Sequence, residues 1–276
     1  MATNESLKGA LATQNNQTAK NNPNDFTVKE LLNSVSFKKR FEDILDKRAP
    51  QFMASVVNLV SSDANLQQCQ PVSVVQACVM AATMDLPIDK NLGYAWVVPY
   101  NSKTGKVATF QIGYKGYIQL ALRSGQYKAI NVIDVHEGEL VKWNPLTEEF
   151  EIDFQARKSD AVVGYAGYFE LLNGFRKAVY WSREEIVEHR KRFSKTKSGG
   201  VWDSDFDAMA RKTVIRNLLS KWGILSIAMQ TAVSADERLD NDEAQEPVLV
   251  NPDTGEVIDI SADDLLAQDI TLDEIE

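Results

Sequence analysis

The sequence predicts an α+β fold, with a helical N-terminal part followed by an antiparallel sheet of hairpins packed by helices. Three observations carry this. Apolar residues recur at helical spacing near both ends of the core. Between them lie short β-branched and aromatic runs separated by turn residues. The order is helices, then strands, then helices, whereas a doubly wound sheet needs the two to alternate.

Residues 1–25, rich in Asn, Gln and Thr, are expected to form a disordered arm. In "VKELLNSVSFKKRFEDILDKRAPQFMASVVNLV" the spacing of Phe37, Phe41, Ile44 and Leu45 predicts short helices, with Pro50 in the first turn of the next one. Pro71 opens "PVSVVQACVMAATMDL". There Val72, Val74, Val75, Cys78, Val79, Met80 and Met84 surround the axis, so burial on all sides is expected, and Pro87 stops the helix. "GYAWVVPY" and "VATFQIG", joined by "NSKTGK", predict a hairpin with an exposed basic tip.

The stretch "QIGYKGYIQLALRSGQYK", residues 111–128, supplies a helix ending at Gly125. Strands are expected at about 127–136, 139–143 and 148–154. "AVVGYAGYFELL", the turn residues Asn173 and Gly174, and "FRKAVYWS" form a second hairpin, in which Tyr165, Tyr168, Tyr180 and Trp181 read as core aromatics, with base stacking as the lesser alternative. Ser182 and Glu185 make a capping box for a helix reaching about 193, and the loop "SKTKSGGVWDSD" leads to a long helix over about 204–222. Residues 26–233 are read as one core.

Charge is distributed unevenly. Residues 234–276 hold fifteen acids and one base, a net of −14, whereas residues 1–233 hold 29 bases and 24 acids, a net of +5. A basic body with an acidic, flexible tail points to a polyanion-binding body and a tail that solubilises the chain or docks a partner. The two cysteines, Cys69 and Cys78, have no CxxC spacing and read as buried thiols of a reducing compartment. No apolar leader and no membrane-length apolar run is found, so a cytoplasmic protein is expected.

The motifs of catalysis are missing. His136 and His189 have no neighbouring cysteine, and no P-loop, GxSxG or HExxH occurs. No catalytic residue, metal ligand or cofactor is expected. Asp85 and Asp89 keep open the alternative of a metal-dependent nuclease or nuclease subunit, although no second carboxylate pair matches them. An adaptor that binds only proteins is a third class.

Two helices carry candidate anion-binding residues. On a helical wheel over 114–124, Tyr114, Tyr117, Ile118, Ala121 and Leu122 share the core arc, and Lys115, Gln119 and Arg123 form an outward stripe. Gly113 and Gly116 are expected to leave the helix entrance bare for a phosphate, although a solvated amphipathic helix fits this stripe equally well. In "FDAMARKTVIRNLLSKWGIL", Lys212, Thr213, Arg216, Asn217, Ser220 and Lys221 fall opposite the apolar arc, with no acid after Asp207 until Asp236. Such a face suits phosphate contacts, although an ordinary solvated face is also consistent with it. Arg211 falls on the apolar side and must snorkel or reach a buried anion. With Lys106, Gln111 and Lys128 at the flanks of the first helix, the candidate DNA contacts are Lys106, Gln111, Tyr114, Lys115, Gln119, Arg123, Lys128, Arg211, Lys212, Arg216 and Lys221. The basic residues Arg190, Lys191, Arg192, Lys195 and Lys197 are a weaker candidate, because acids in the first turns of their helix give that charge pattern a structural reason.

"AATMDLPIDKNLGYAWVVPY", "FQIGYKGYIQLALRSGQYK", "EGELVKWNPLTEE" and "DAMARKTVIRNLLSKWGILS" resemble, in order from about 30 to 233, the RecT family of phage-encoded single-strand annealing proteins. The resemblance implies ATP-independent binding of single-stranded DNA and annealing of complementary strands in homologous recombination and double-strand-break repair. It also implies an α+β fold related to eukaryotic annealing mediators, and a homo-oligomeric ring or helical filament with a continuous basic groove that holds the annealed duplex intermediate. A phage exonuclease and a host single-strand-binding protein are the implied partners. Individual DNA contacts come from the wheels and not from the resemblance.

Overall fold

A computed structural model describes residues 23–103, 105–194 and 201–240, together with the paired two-residue strands Leu249–Val250 and Val257–Ile258. The expected arm is largely outside the described residues, as are Lys195, Lys197 and the tail beyond 240, apart from those two short strands.

Thr27 starts the helical part. Its side chain accepts from Glu30 N and the Glu30 carboxylate returns to Thr27 N, a capping box for α1 (Val28–Asn33). Next come α2 (Val35–Leu45), whose Phe37, Phe41 and Leu45 are buried, and α3 (Ala49–Ser61), with proline in its first turn. The predicted central helix, α4 (Pro71–Thr83), is buried at every residue from Ser73 to Ala82. Each fully buried Val in it contributes about 1.5–3 kcal/mol through removal of apolar surface from water. The helix ends four residues before Pro87, and a left-handed turn at Asp85 (φ 50°) follows it.

The first hairpin pairs β1 (Ala95–Ser102) with β2 (Gly105–Ile112), and α4 packs against it. Helix α5 (Tyr114–Arg123) follows. The main antiparallel sheet has the order β3 (Tyr127–His136), β6 (Val162–Leu171), β7 (Arg176–Ser182). A separate hairpin, β4 (Leu140–Asn144) with β5 (Glu149–Ile152), brings Trp143 and Phe150 against Tyr180 of β7, with ring centroids 6.3 and 6.2 Å away.

The Ser182–Glu185 capping box forms as predicted and opens α6 (Arg183–Phe193). After the short α7 (Val201–Ser204), Asp205 caps the long α8 (Phe206–Trp222), and α9 (Ile227–Asp240) follows. Helix α8 packs across the main sheet, with Val214 and Leu218 over Gly167 of β6, and on its other side meets α5. Helix α9 adjoins α5, β2 and α8. It therefore continues beyond the expected core boundary at 233, and its Asp236 is 3% exposed. Tyr165 of β6 is buried as expected, whereas Tyr168, one residue from the α8-facing side, is exposed.

Candidate nucleic-acid interface

The helix entrance quoted above is built for close packing. Gly113 and Gly116 are buried, and the Gly113 N–H donates to Tyr94 O at 2.9 Å. A Cβ on Gly113 would lie 2.2 Å from Gly93 O, and one on Gly116 would lie 2.3 Å from Tyr94 O. The 93–94 backbone thus occupies the space that was expected to admit a phosphate. That expectation is corrected: the glycines let strand β1's approach segment seat on α5.

The wheel for α5 is also rotated relative to expectation. Its buried face is Gly116, Tyr117, Leu120 and Ala121, while Leu122 is 46% exposed. Among the outward residues, Lys115 is exposed and has no acid partner among the described residues, and Gln119 is half-buried. Arg123 has an architectural role. Its guanidinium donates to Met84 O and Asp85 O, each at 2.6 Å, and so satisfies carbonyls at the left-handed end of α4.

Helix α8 departs furthest from its wheel. Thr213 is buried with the apolar residues, and the Lys212 side chain is 12% exposed in an ion pair with Asp236 at 2.9 Å. Asp236 also accepts from the Tyr117 hydroxyl at 2.7 Å. The expected outward basic face on α8 is therefore not formed. Sheet, α5 and α9 enclose the helix, so its polar arc meets protein. Arg216 is half-buried, and only Lys221 of the candidates on α8 is exposed, 5.5 Å from the Trp222 ring centroid.

Arg211 reaches an anion, as its apolar-side position requires. Its Nη1 lies 3.4 Å from Asp134 Oδ2, its Nε donates to Asp207 O at 3.2 Å, and its guanidinium lies 5.3 Å from the Tyr114 ring centroid. Burial pushes the Asp134 carboxyl above the usual carboxylate range, opposed by Arg211, and Asp134 Oδ1 has no hydrogen-bond partner. Beside it the Tyr165 hydroxyl donates to Asp207 Oδ1 at 2.5 Å and accepts from Arg183 at 3.2 Å. Burial, and then Asp207, push the Tyr165 hydroxyl well up. Arg183 in turn lies 4.4 Å over the Phe206 ring. Two guanidiniums stacked on rings at this edge of the sheet are each held by a carboxylate.

The flanking candidates are likewise engaged. Lys106 donates to Gln68 Oε1 at 2.8 Å and Asn65 Oδ1 at 3.2 Å, and so ties the hairpin to the segment before α4. Gln111 donates to the Tyr100 hydroxyl. Lys128 is exposed but pairs with Glu170 at 2.8 Å. Of the weaker group, Arg190 pairs with Asp203 and Lys191 with Glu188. Asp85 pairs with Arg48 at 2.5 Å, and Asp89 accepts from Asn91 N at 2.8 Å within its own turn. Among the described residues, no three His, Cys, Asp or Glu side chains come together as a metal site.

Open cations remain at Lys115, Lys221 and also Lys103, which lies at the hairpin tip and is absent from the candidates above. A sequence signal marks this region: between Asp89 and Asp134 there is no acid at all, while Lys90, Lys103, Lys106, Lys115, Arg123 and Lys128 all occur. That run contains the whole β1–β2 hairpin and α5.

Comparison with known proteins agrees with these segments. The RecT family model matches residues 50–249. The chain is 56% identical over 264 residues to the uncharacterized protein YqaK of Bacillus subtilis (strain 168), covering 94% of this chain and 88% of that one. It is 29% identical over 238 residues to Protein RecT of Escherichia coli (strain K12), covering 84% and 85% respectively. With most of its length matched by the model, and with the hairpin, α5 and α8 inside the match, the chain belongs to the RecT family of single-strand annealing proteins of recombination.

Proposed function

We propose that this protein binds single-stranded DNA without sequence preference and anneals complementary strands without ATP, in homologous recombination and double-strand-break repair. The observation that supports this most directly is the family match across 50–249, which takes in the acid-free run between Asp89 and Asp134. Annealing makes and breaks no covalent bond, so the reading needs no catalytic group, metal or cofactor. Phosphate contacts from open cations such as Lys115 supply affinity that is independent of sequence. Base pairing between the two strands supplies the specificity.

One hairpin and one helix cover only a few nucleotides, since a ten-residue helix spans about 15 Å. Stable pairing requires many bases presented together, so the functional form is a homo-oligomer, a ring or a filament, that continues the basic surface. An exonuclease that resects duplex ends and a host single-strand-binding protein fit as partners in the cytoplasm. Among the described residues, no helix is long and apolar enough to cross a membrane.

The test is annealing of complementary oligonucleotides followed by fluorescence transfer, without ATP. The expected result is acceleration over the protein-free rate. If about four phosphates are neutralised per subunit, log K should fall with log[salt] at a slope of about −3. No acceleration, with no salt-sensitive binding, overturns the reading. Magnesium-dependent nucleotide release would move it to the nuclease alternative at Asp85 and Asp89.

A further inference from the structure

The β1–β2 hairpin has two unlike faces. Ala95, Val97, Ala108, Phe110 and Ile112 enter the core. By strand alternation and register, the other face carries Trp96, Val98 and Tyr100 opposite Gln111, Thr109 and Val107. Trp96, Val98, Tyr100 and Val107 are all outside the packed core, and Trp96 is 37% exposed. The Tyr100 hydroxyl accepts from Gln111 Nε2, so the ring leans along the sheet towards the Trp96 end. Four residues of extended strand separate the Trp96 and Tyr100 Cα atoms by about 13 Å, far enough for each ring to meet a different base.

The charges carried on the hairpin and on α5 are all positive. No acid lies on the hairpin. Lys115 stands beside Trp96: measured from the position a Cβ would take on Gly93, the indole is 3.8 Å away and the Lys115 Cδ 3.9 Å away. At the far end, Lys103 is exposed and without an acid partner among the described residues. A second copy presenting the same face would set like charges together. A polyanion with aromatic bases matches both the cations and the rings.

We propose that this outer face is a base-stacking platform for single-stranded nucleic acid, with Trp96 and Tyr100 as ring contacts and Lys115 and Lys103 as phosphate contacts at its ends. The proposal rests on the DNA-binding reading above and adds what the bases, as distinct from the phosphates, touch. Stacking on such rings tolerates any base, because every base has a π-face, and strengthens binding about tenfold per base.

The experiment compares binding of an oligothymidine with binding of an equally long abasic strand, which keeps the phosphates and lacks the bases. Wild-type protein should prefer the oligothymidine by about tenfold or more. The Trp96→Ala/Tyr100→Ala variant should lose that preference while keeping its affinity for the abasic strand, and Trp96→Phe/Tyr100→Phe should retain it. As a check that needs no variant, ultraviolet crosslinking of wild-type protein to an iodouracil strand should place an adduct on the tryptic peptide 91–103, which contains both rings. An unchanged preference in the alanine variant, or no adduct on that peptide, overturns the platform while leaving DNA binding intact. The same holds if the variant changes only self-association. Failure of wild-type protein to bind either strand overturns the DNA-binding reading itself.

Discussion

Lys212 of α8 and Asp236 of α9 meet at 2.9 Å in the interior, with side chains 12% and 3% exposed. The Tyr117 hydroxyl of α5 donates to the second carboxylate oxygen, so one buried carboxylate joins three helices. Removing one member of such a pair leaves an uncompensated buried charge. Asp236→Ala should therefore cost about 3–5 kcal/mol in denaturant unfolding, and replacing both partners with apolar residues should recover much of it. By the same logic a chain ending at 233 should be less stable than one ending at 240. A cost below about 1 kcal/mol for Asp236→Ala would refute the buried pair.

Leu120 and Leu122 stand two positions apart on α5 with opposite environments, 2% and 46% exposed. Leu120→Ala should cost about 2–5 kcal/mol through lost transfer energy and a residual cavity, and Leu122→Ala less than about 1 kcal/mol. Thermal melts of the two variants check the rotation of the helix.

Lys115 and Arg123 share a helical stripe and differ in role. Lys115→Ala should leave the melting temperature unchanged, weaken binding to single-stranded DNA, and reduce the magnitude of the salt slope by about 0.7. Arg123→Ala leaves Met84 O and Asp85 O without their donor and should lower stability by about 1.5–3 kcal/mol. Titrations at several salt concentrations, paired with denaturant curves, separate the two outcomes.

Glu139 lies between β3 and β4 with its side chain inaccessible to solvent. The His136 N–H donates to it at 2.7 Å and Arg157 at 2.6 Å, and these bonds hold its carboxyl below the ordinary value of 4.5. A depressed carboxyl pKa stabilises the fold above the unfolded value, and that stability is lost as pH falls through the folded one. Glu139→Gln should therefore destabilise the protein at pH 7, and the difference from wild type should shrink below about pH 4.5. Asp134, whose carboxyl is raised by burial, has the opposite sign, since protonation on acidification relieves its desolvation. Denaturant midpoints across pH 3–7 for wild type and variant test the assignment.

Much of the architecture was legible in the sequence. Pro71, the unbroken apolar circumference after it, the Asn173–Gly174 turn and the Ser182–Glu185 box are local signals, and each acts over a few residues. Phe37, Phe41 and Leu45 are buried as their spacing requires. The positions of the charged side chains were not legible in the same way. A wheel divides a helix into two arcs, whereas α8 is enclosed by a sheet and two helices, so its polar arc also meets protein and Lys212 pairs with an aspartate far along the chain. Gly113 and Gly116 carry a local message of bare backbone, but only the fold decides that the Gly93–Tyr94 backbone fills that space. The acid-free run from Lys90 to Ile133 is a property of the sequence alone and marks the electropositive region. Which of its cations stay open is decided by tertiary structure, because ion pairs and carbonyl contacts form between residues the chain brings together only on folding. Arg123 is drawn to the end of α4 and Lys106 to Gln68, while Lys115 remains in solvent.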